Sequence, residues 1–326
     1  MILARHSMRF LLAEIARLRL RLSADRVGAA LVYHRIGDPA GDPARELVPA
    51  LGSDLFRRQV LYLRRRYALV AASDLGPAIV ARRRGQRIPV ALTFDDDLPE
   101  HVSAALPLLE ELRAPATFFL CGASLDRPSS FWWERLDAAA REDRLPEALP
   151  ASLAGGHPET SIHETALRIQ RLPSHEREQV AQQLERSPES TPPAGGLRRG
   201  DVRRLVAAGF EIGFHTLRHN ELPPLGDDEL RLSLTEGSER LGRLAGRPLT
   251  AIAYPHGEVD ERVANLARAC GYSAGFTTDG RAAGARTDAM RIGRVAPSFR
   301  SVADLAWSLA RALGAAAAAS PGREGS

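Results

Sequence analysis

Val90-Ala91-Leu92-Thr93-Phe94-Asp95-Asp96-Asp97 joins five residues of strand type to three consecutive carboxylates. Burying the run brings the carboxylates to a sheet edge, where mutual repulsion raises their pKa values unless a cation or base partner lies beside them. A metal ion is the simplest neutraliser. Its other ligands would be neutral imidazoles or further acids, and one place downstream offers two histidines at close spacing: His215-Thr216-Leu217-Arg218-His219. That segment also follows a short apolar run, Phe210-Glu211-Ile212-Gly213-Phe214.

Outward from the central strand, read over 88–95, strand and helix patterns alternate. Before it come a strand at 29–36, a helix capped by Ser53 with Phe56, Val60, Leu63 and Tyr67 on its apolar face, a short strand at 68–71 and a helix near 74–84. After it come a helix over about 100–113 and a strand at 116–122. The alternation resumes with a helix at 201–208, a strand at 210–216, a helix at 227–245, a strand at 250–255 and a helix at 259–270 with Gly271 beyond its end. Strands at 273–278 and 291–296 and a helix over 301–313 complete it. These lengths predict an α/β fold of parallel strands joined by right-handed crossovers. Between about 125 and 197 the pattern lapses into Phe131-Trp132-Trp133, two helix-like stretches and a Pro/Ser-rich break, which predicts a mainly helical insertion carried on the main domain.

Residues 1–26 form a separate amphipathic unit. Met8, Leu11, Ile15, Leu18 and Leu22 recur at helical spacing, with Arg9, Arg17, Arg19 and Arg21 off that stripe. The charges exclude a membrane-spanning helix, and the four residues between Arg9 and Glu14 are too few for the core of a secretory signal. The stripe is expected either to pack on its own domain or to lie on a membrane surface. The main domain then covers 27–314, and 315–326 is expected to be a disordered tail. The formal net charge is +4, and all 44 basic residues are arginine, interleaved with 40 acids. Coding bias accounts for that composition, and no nucleic-acid partner is expected. Arg64-Arg65-Arg66 and Arg82-Arg83-Arg84 each end a helix-like segment, where positive charge suits the macrodipole. Cys121 and Cys270 make neither a disulfide framework nor a zinc cluster. The expected location is cytoplasmic, with membrane association on the cytoplasmic face if the first helix is interfacial.

Hydrolytic zinc sites use three protein ligands and leave one position open for water, and one carboxylate with two imidazoles makes such a set. Neighbouring strand residues point to opposite sides, so Asp95 and Asp96 are expected to do different jobs, one holding metal and the other accepting a proton from water. The two histidines share a face if the turn after 210–214 is helical. On these residues the chain resembles the polysaccharide deacetylases of carbohydrate esterase family 4, the chitooligosaccharide deacetylase homology group, over about 29–122 and 198–300. Leu92-Thr93-Phe94-Asp95-Asp96 is similar to that family's first motif and His215-Thr216-Leu217-Arg218-His219 to its second. Val32-Tyr33-His34-Arg35-Ile36 and Tyr254-Pro255-His256-Gly257 look like segments of bacterial surface-polysaccharide deacetylases.

The resemblance implies a distorted, incompletely closed (β/α) barrel and an N-deacetylase acting on an N-acetylated glycan or glycoconjugate. It implies Asp95 as catalytic base, Asp96, His215 and His219 as ligands of a divalent metal, and the His256 backbone N–H as oxyanion donor. The ligand set suits Zn2+, Co2+ or Ni2+ better than Ca2+. By the same resemblance Arg294 orients or charge-tunes Asp95, the alternative being an ordinary surface salt bridge. Trp132 and Trp133 either stack on a sugar ring or pack among helices. Several positions depart from the family: Asp97 stands where glycine is usual, Asn220 where proline is common and Ala253 where the third motif begins with arginine. No histidine follows His256, so the family's usual general acid is absent. As its replacement His101 ranks first, near the start of the helix after Asp95, followed by His256 and His34. The missing acid motivates a second reading, a catalytically impaired carbohydrate-binding protein that keeps the metal. Hydrolysis of another non-peptide C–N bond is a third.

Overall fold

The apolar runs form one curled sheet in the computed structural model, which describes residues 2–38, 46–141, 149, 153, 161–172, 174–185 and 195–319. Its strands are β1 (Val27–Tyr33), β2 (Ala68–Val70), β3 (Pro89–Asp95), β4 (Thr117–Leu120), β5 (Glu211–Phe214), β6 (Ala251–Ala253), β7 (Ala274–Phe276), β8 (Ala283–Gly284) and β9 (Arg294–Val295). They run in the order β7-β6-β5-β4-β3-β1-β8, with β2 also on β3 and β9 also on β1. All pairings are parallel except β1 with β8. β1, β3, β4, β5, β6 and β7 are buried along their whole length, as strands covered on both faces must be. The sides of β7 and β9 meet through a Phe276–Ile292 bridge rather than a ladder. The result is a nearly closed barrel with one unsealed seam, the expected architecture.

The helices are α1 (Ile2–Leu22), α2 (Ser53–Arg66), α3 (Leu75–Ala81), α4 (Leu106–Glu111), α5 (Trp132–Arg141), α6 (Ile162–Gln170), α7 (Ser174–Glu185), α8 (Arg199–Ala207), α9 (Asp227–Thr235), α10 (Ser238–Ala245), α11 (Glu261–Ala269) and α12 (Val302–Ala318). The helix expected over 100–113 opens with a π turn, His101–Ala105, before α4. The single helix expected at 227–245 is split into α9 and α10 at Gly237, whose φ of 87° is left-handed and cannot continue a helix. α12 runs on to Ala318 with Ala317 buried, so the Ala-rich start of the expected tail is helix; 320–326 lie outside the described residues. In the insertion, α5, α6 and α7 share a small core of Leu136, Ala139, Ile162, Ile169, Val180 and Leu184.

α1 turns its larger apolar stripe outward. It packs against the core through Phe10, Ala13, Ala16 and Leu20, with Arg17 buried and bonded to Glu14. Met8, Leu11, Ile15, Leu18 and Leu22, the stripe expected either to pack on the domain or to lie on a membrane surface, lie outside, between 39 and 56% exposed. Arg82 is not a surface charge at the end of its own helix. It is buried, and its guanidinium donates to the carbonyls of Leu20, Arg21 and Asp25, closing the end of α1. Among the described residues no helix is long and apolar enough to cross a membrane.

Candidate active site

Four strand ends converge here, and three turn sharply as they arrive. Asp95 is the last residue of β3, and Asp96 follows at φ 74°. Beyond β5, Thr216 and His219 stand at φ 61° and 50°, and beyond β6 His256 stands at 59°. Among the described residues the only other non-glycine with positive φ is Arg113. Each such residue costs about 1–3 kcal/mol, and such strain persists where the surrounding structure holds it. The turn after β5 is therefore not the helical one expected. Left-handed residues bring the two imidazoles together instead, with ring centres 4.8 Å apart.

Asp96 Oδ1 lies 3.6 Å from His215 Nε2 and 3.4 Å from His219 Nε2, and the three donor atoms lie within 4.8 Å of one another. That Oδ1 is buried with no hydrogen-bond partner. Burial, reinforced by the charges of Asp95, Glu134 and Asp97, pushes the Asp96 carboxyl well above its ordinary range. His215 Nδ1 is 2.8 Å from the Ala253 carbonyl. A carbonyl only accepts, so Nδ1 carries the hydrogen and Nε2 presents its lone pair to the site. Burial holds His215 down to about 4 and His219 well below its usual value, so both rings are neutral. An orphaned buried carboxylate oxygen and two imidazole lone pairs fit a divalent cation of the zinc type.

Asp95 faces a different partner. Arg294 is fully buried and holds it through two bonds, Nη1 to Oδ1 at 2.6 Å and Nη2 to Oδ2 at 2.7 Å. The same guanidinium donates to Thr93 Oγ1 and to the Thr277 carbonyl. The pair is a buried two-bond fork rather than a surface salt bridge. Burial alone would raise the Asp95 pKa, but the Arg294 charge, with help from His215, outweighs it and holds the carboxyl at about 2.

The remaining histidines separate by placement. His101 has no exposed surface, and its Nε2 lies 2.9 Å from the Asp95 carbonyl and 3.1 Å from that of Asp96. Its ring packs on Phe94 and Phe118, and burial drives it down to about 4. It braces the turn from beneath, at the first position of the π turn. His34 follows β1, whose register sets Tyr33 against Phe94, so it stands next to Asp95. It is half-buried; burial lowers its pKa, Asp95 raises it and Arg294 lowers it. His256 is exposed at the mouth, its ring 4.8 Å from that of His219.

The insertion supplies a wall that the sequence reading did not foresee. Trp133 is buried with its ring centre 4.4 Å from that of His219, and it stacks on Phe131 at 4.4 Å. Trp132 sets its edge against Trp133 and packs on the insertion's core, so packing accounts for both indoles. Glu134, the next residue, accepts from the Phe131 N–H, and burial pushes its carboxyl up to about 7. Only the density of aromatics at 131–133 could have pointed here.

The profile of the polysaccharide deacetylase family matches residues 82–275, more than half of the chain. The chain belongs to that family. Solved structures with the same fold include a Streptococcus pyogenes deacetylase, PplD, in complex with acetate, 17% identical with a TM-score of 0.61 over 87% of this chain and 98% of that one. A polysaccharide deacetylase from Bacillus cereus is 19% identical, with a TM-score of 0.57 over 87% of this chain and 69% of that one. IcaB from Ammonifex degensii is 20% identical, with a TM-score of 0.55 over 87% of this chain and 98% of that one. Among curated proteins no sequence match is found.

Two departures from the usual deacetylase sequence have local causes. The Asp97 carboxylate accepts from the N–H groups of Cys121, Gly122 and Ala123, and its carbonyl accepts from Leu197. It ties the end of β3 to the end of β4 and to the close of the insertion, a task glycine could not perform. Asn220, beside His219, accepts from Arg177 of α7, which a proline there could not do. Both substitutions serve the insertion.

Proposed function

We propose that this deacetylase is a metal-dependent hydrolase that removes N-linked acetyl groups from an N-acetylated sugar of a polysaccharide or glycoconjugate. The observation that carries the reading is the pairing of an ionised, Arg294-clamped Asp95 with the convergent donors of Asp96, His215 and His219. A divalent cation held by those three residues, with Zn2+ preferred over Co2+ or Ni2+, would acidify water and polarise the acetamide carbonyl. Asp95 then accepts the proton from water, held in place by the two Arg294 bonds. The His256 backbone N–H, turned by its left-handed conformation, donates to the developing oxyanion. Phe131 and Trp133 shield the histidine side of the site from water.

For the proton owed to the leaving amine, the buried brace His101 is unsuited, and the role passes to His34. His34 stands next to Asp95, whose charge offsets part of the lowering that burial and Arg294 impose on its ring, whereas His256 faces a ligand imidazole, where a bound cation would repel it. His34→Ala is expected to keep its metal and its melting temperature, lower kcat far more than it raises KM, and remove the alkaline limb of the pH–rate profile. His101→Ala should instead lose about 2–4 kcal/mol of stability, because it empties a buried site and strands two carbonyls. Unchanged kcat in His34→Ala would return the role to His256.

Acetate release from a panel of N-acetylated oligosaccharides and lipid-linked sugars tests the activity. Release from none of them, together with saturable glycan binding, would make the protein a binding module. Metal analysis should give about one divalent ion per chain, and His215→Ala should weaken its affinity by more than the ~10–100-fold that losing a supporting hydrogen bond costs. Wild-type stoichiometry in that variant would remove these residues from the site.

A further inference from the structure

The outer face of α1 carries a contiguous apolar stripe, Met8, Leu11, Leu12, Ile15, Leu18 and Leu22, running about 21 Å along the helix. It is exposed although the helix is already fully packed on its inner side, where Ala13 and Leu20 are buried. A stripe of this size on solvent is costly unless something covers it. The exposed charges along it are arginines, of which Arg9 pairs with the buried Asp304 of α12. Arg9, Arg19 and Arg26 are exposed along and just beyond the helix. The loop bearing exposed Arg83 and Arg84 is held against the end of α1 by a reciprocal pair of bonds between Arg21 and Gly85. Glu14, the one acid of α1, turns inward to Arg17, Tyr62 and Arg66.

We infer that this face seats the protein on an anionic lipid surface, with the six apolar side chains entering the headgroup boundary and the arginines pairing with lipid phosphates. A second copy of the chain is the poorer occupant, because its own arginines would meet these across the same stripe. The arrangement is that of an interfacial helix: an apolar face bordered by arginine, with no exposed acid on the helix. It differs from a free amphipathic helix in being held rigid, so no ordering entropy opposes binding. The inference stands apart from the chemistry of the barrel mouth and does not depend on it.

Flotation of the full chain with vesicles tests it. Binding is expected to vesicles of phosphatidylcholine with an equal share of phosphatidylglycerol, absent with phosphatidylcholine alone and weakened at about 0.5 M salt. Leu11→Gln/Ile15→Gln/Leu18→Gln changes only exposed side chains, so it should fold like wild type while binding falls at least about tenfold. Arg19→Glu/Arg83→Glu/Arg84→Glu should lose the dependence on anionic lipid. Equal flotation of wild type and the glutamine variant would overturn the inference, as would failure of wild type to float. So would a concentration-dependent dimer that the glutamine variant disperses without any vesicle binding, which would assign the stripe to a second copy.

Discussion

Asp95→Asn is expected to lose acetate release by about 10²–10⁴-fold, the contribution typical of a positioned general base. An amide offers no basic oxygen to water. The buried fork makes the variant more than a catalytic knockout. Arg294 would keep its charge with no carboxylate against it, and stranding a buried charge costs about 3–5 kcal/mol. Melting temperature should therefore fall together with activity. Assays well below the midpoint, with metal content measured alongside, separate the two effects. Activity near wild type in metal-loaded Asp95→Asn would show that another group takes the proton.

The second large effect is expected from Arg294→Met. Methionine fills much of the volume but leaves Asp95 buried without its counter-charge, again a loss of about 3–5 kcal/mol. The pH profile should change in a definite direction. Arg294 is what holds the Asp95 carboxyl at about 2 against burial, so without it that pKa rises. Asp95 must be ionised to accept a proton, so the fall of activity toward acid should set in at higher pH than in wild type. The double variant Asp95→Asn/Arg294→Met leaves neither charge alone, and its stability loss should be smaller than the sum of the two single losses. Additive losses, or an acid limb that stays in place, would mean that Arg294 acts as packing only.

The two acids of the first motif and the two histidines of the second could be found from sequence because each stands at or just beyond an apolar strand, whereas Arg294 is reached only through the resemblance to the deacetylase family. In a parallel barrel the carboxyl ends of the strands gather at one face, so residues distant in sequence meet there without any knowledge of side-chain contacts. His101 could not be placed that way. Whether a residue six positions after Asp95 points into the site or beneath it depends on how the next helix starts, and the π turn at 101–105 sets the ring under the Asp95 and Asp96 carbonyls. Trp133 lies far from His219 in sequence, and its stacking depends on where α5 docks.

Hydrophobic periodicity therefore settled the alternation of strands and helices and their parallel pairing, since each follows from local pattern and chain direction, while the barrel and the roles of the groups at its mouth follow from the resemblance to the deacetylases. Periodicity also found α1 and left open whether its stripe packs on the domain or lies outside. Two stripes coexist on that helix, and the larger side chains point away from the barrel while Ala13 and Ala16 face it beside the alanine-rich α12. Small residues let two helices approach closely, and which stripe faces inward is decided by fit against a neighbour almost 300 residues away, which no local pattern contains. The same holds for the Arg294–Asp95 fork, whose partners are 199 positions apart. Sequence named both residues, and only the closing of β9 onto β1, with β3 on the other side of β1, decided that they would share a buried pair of hydrogen bonds.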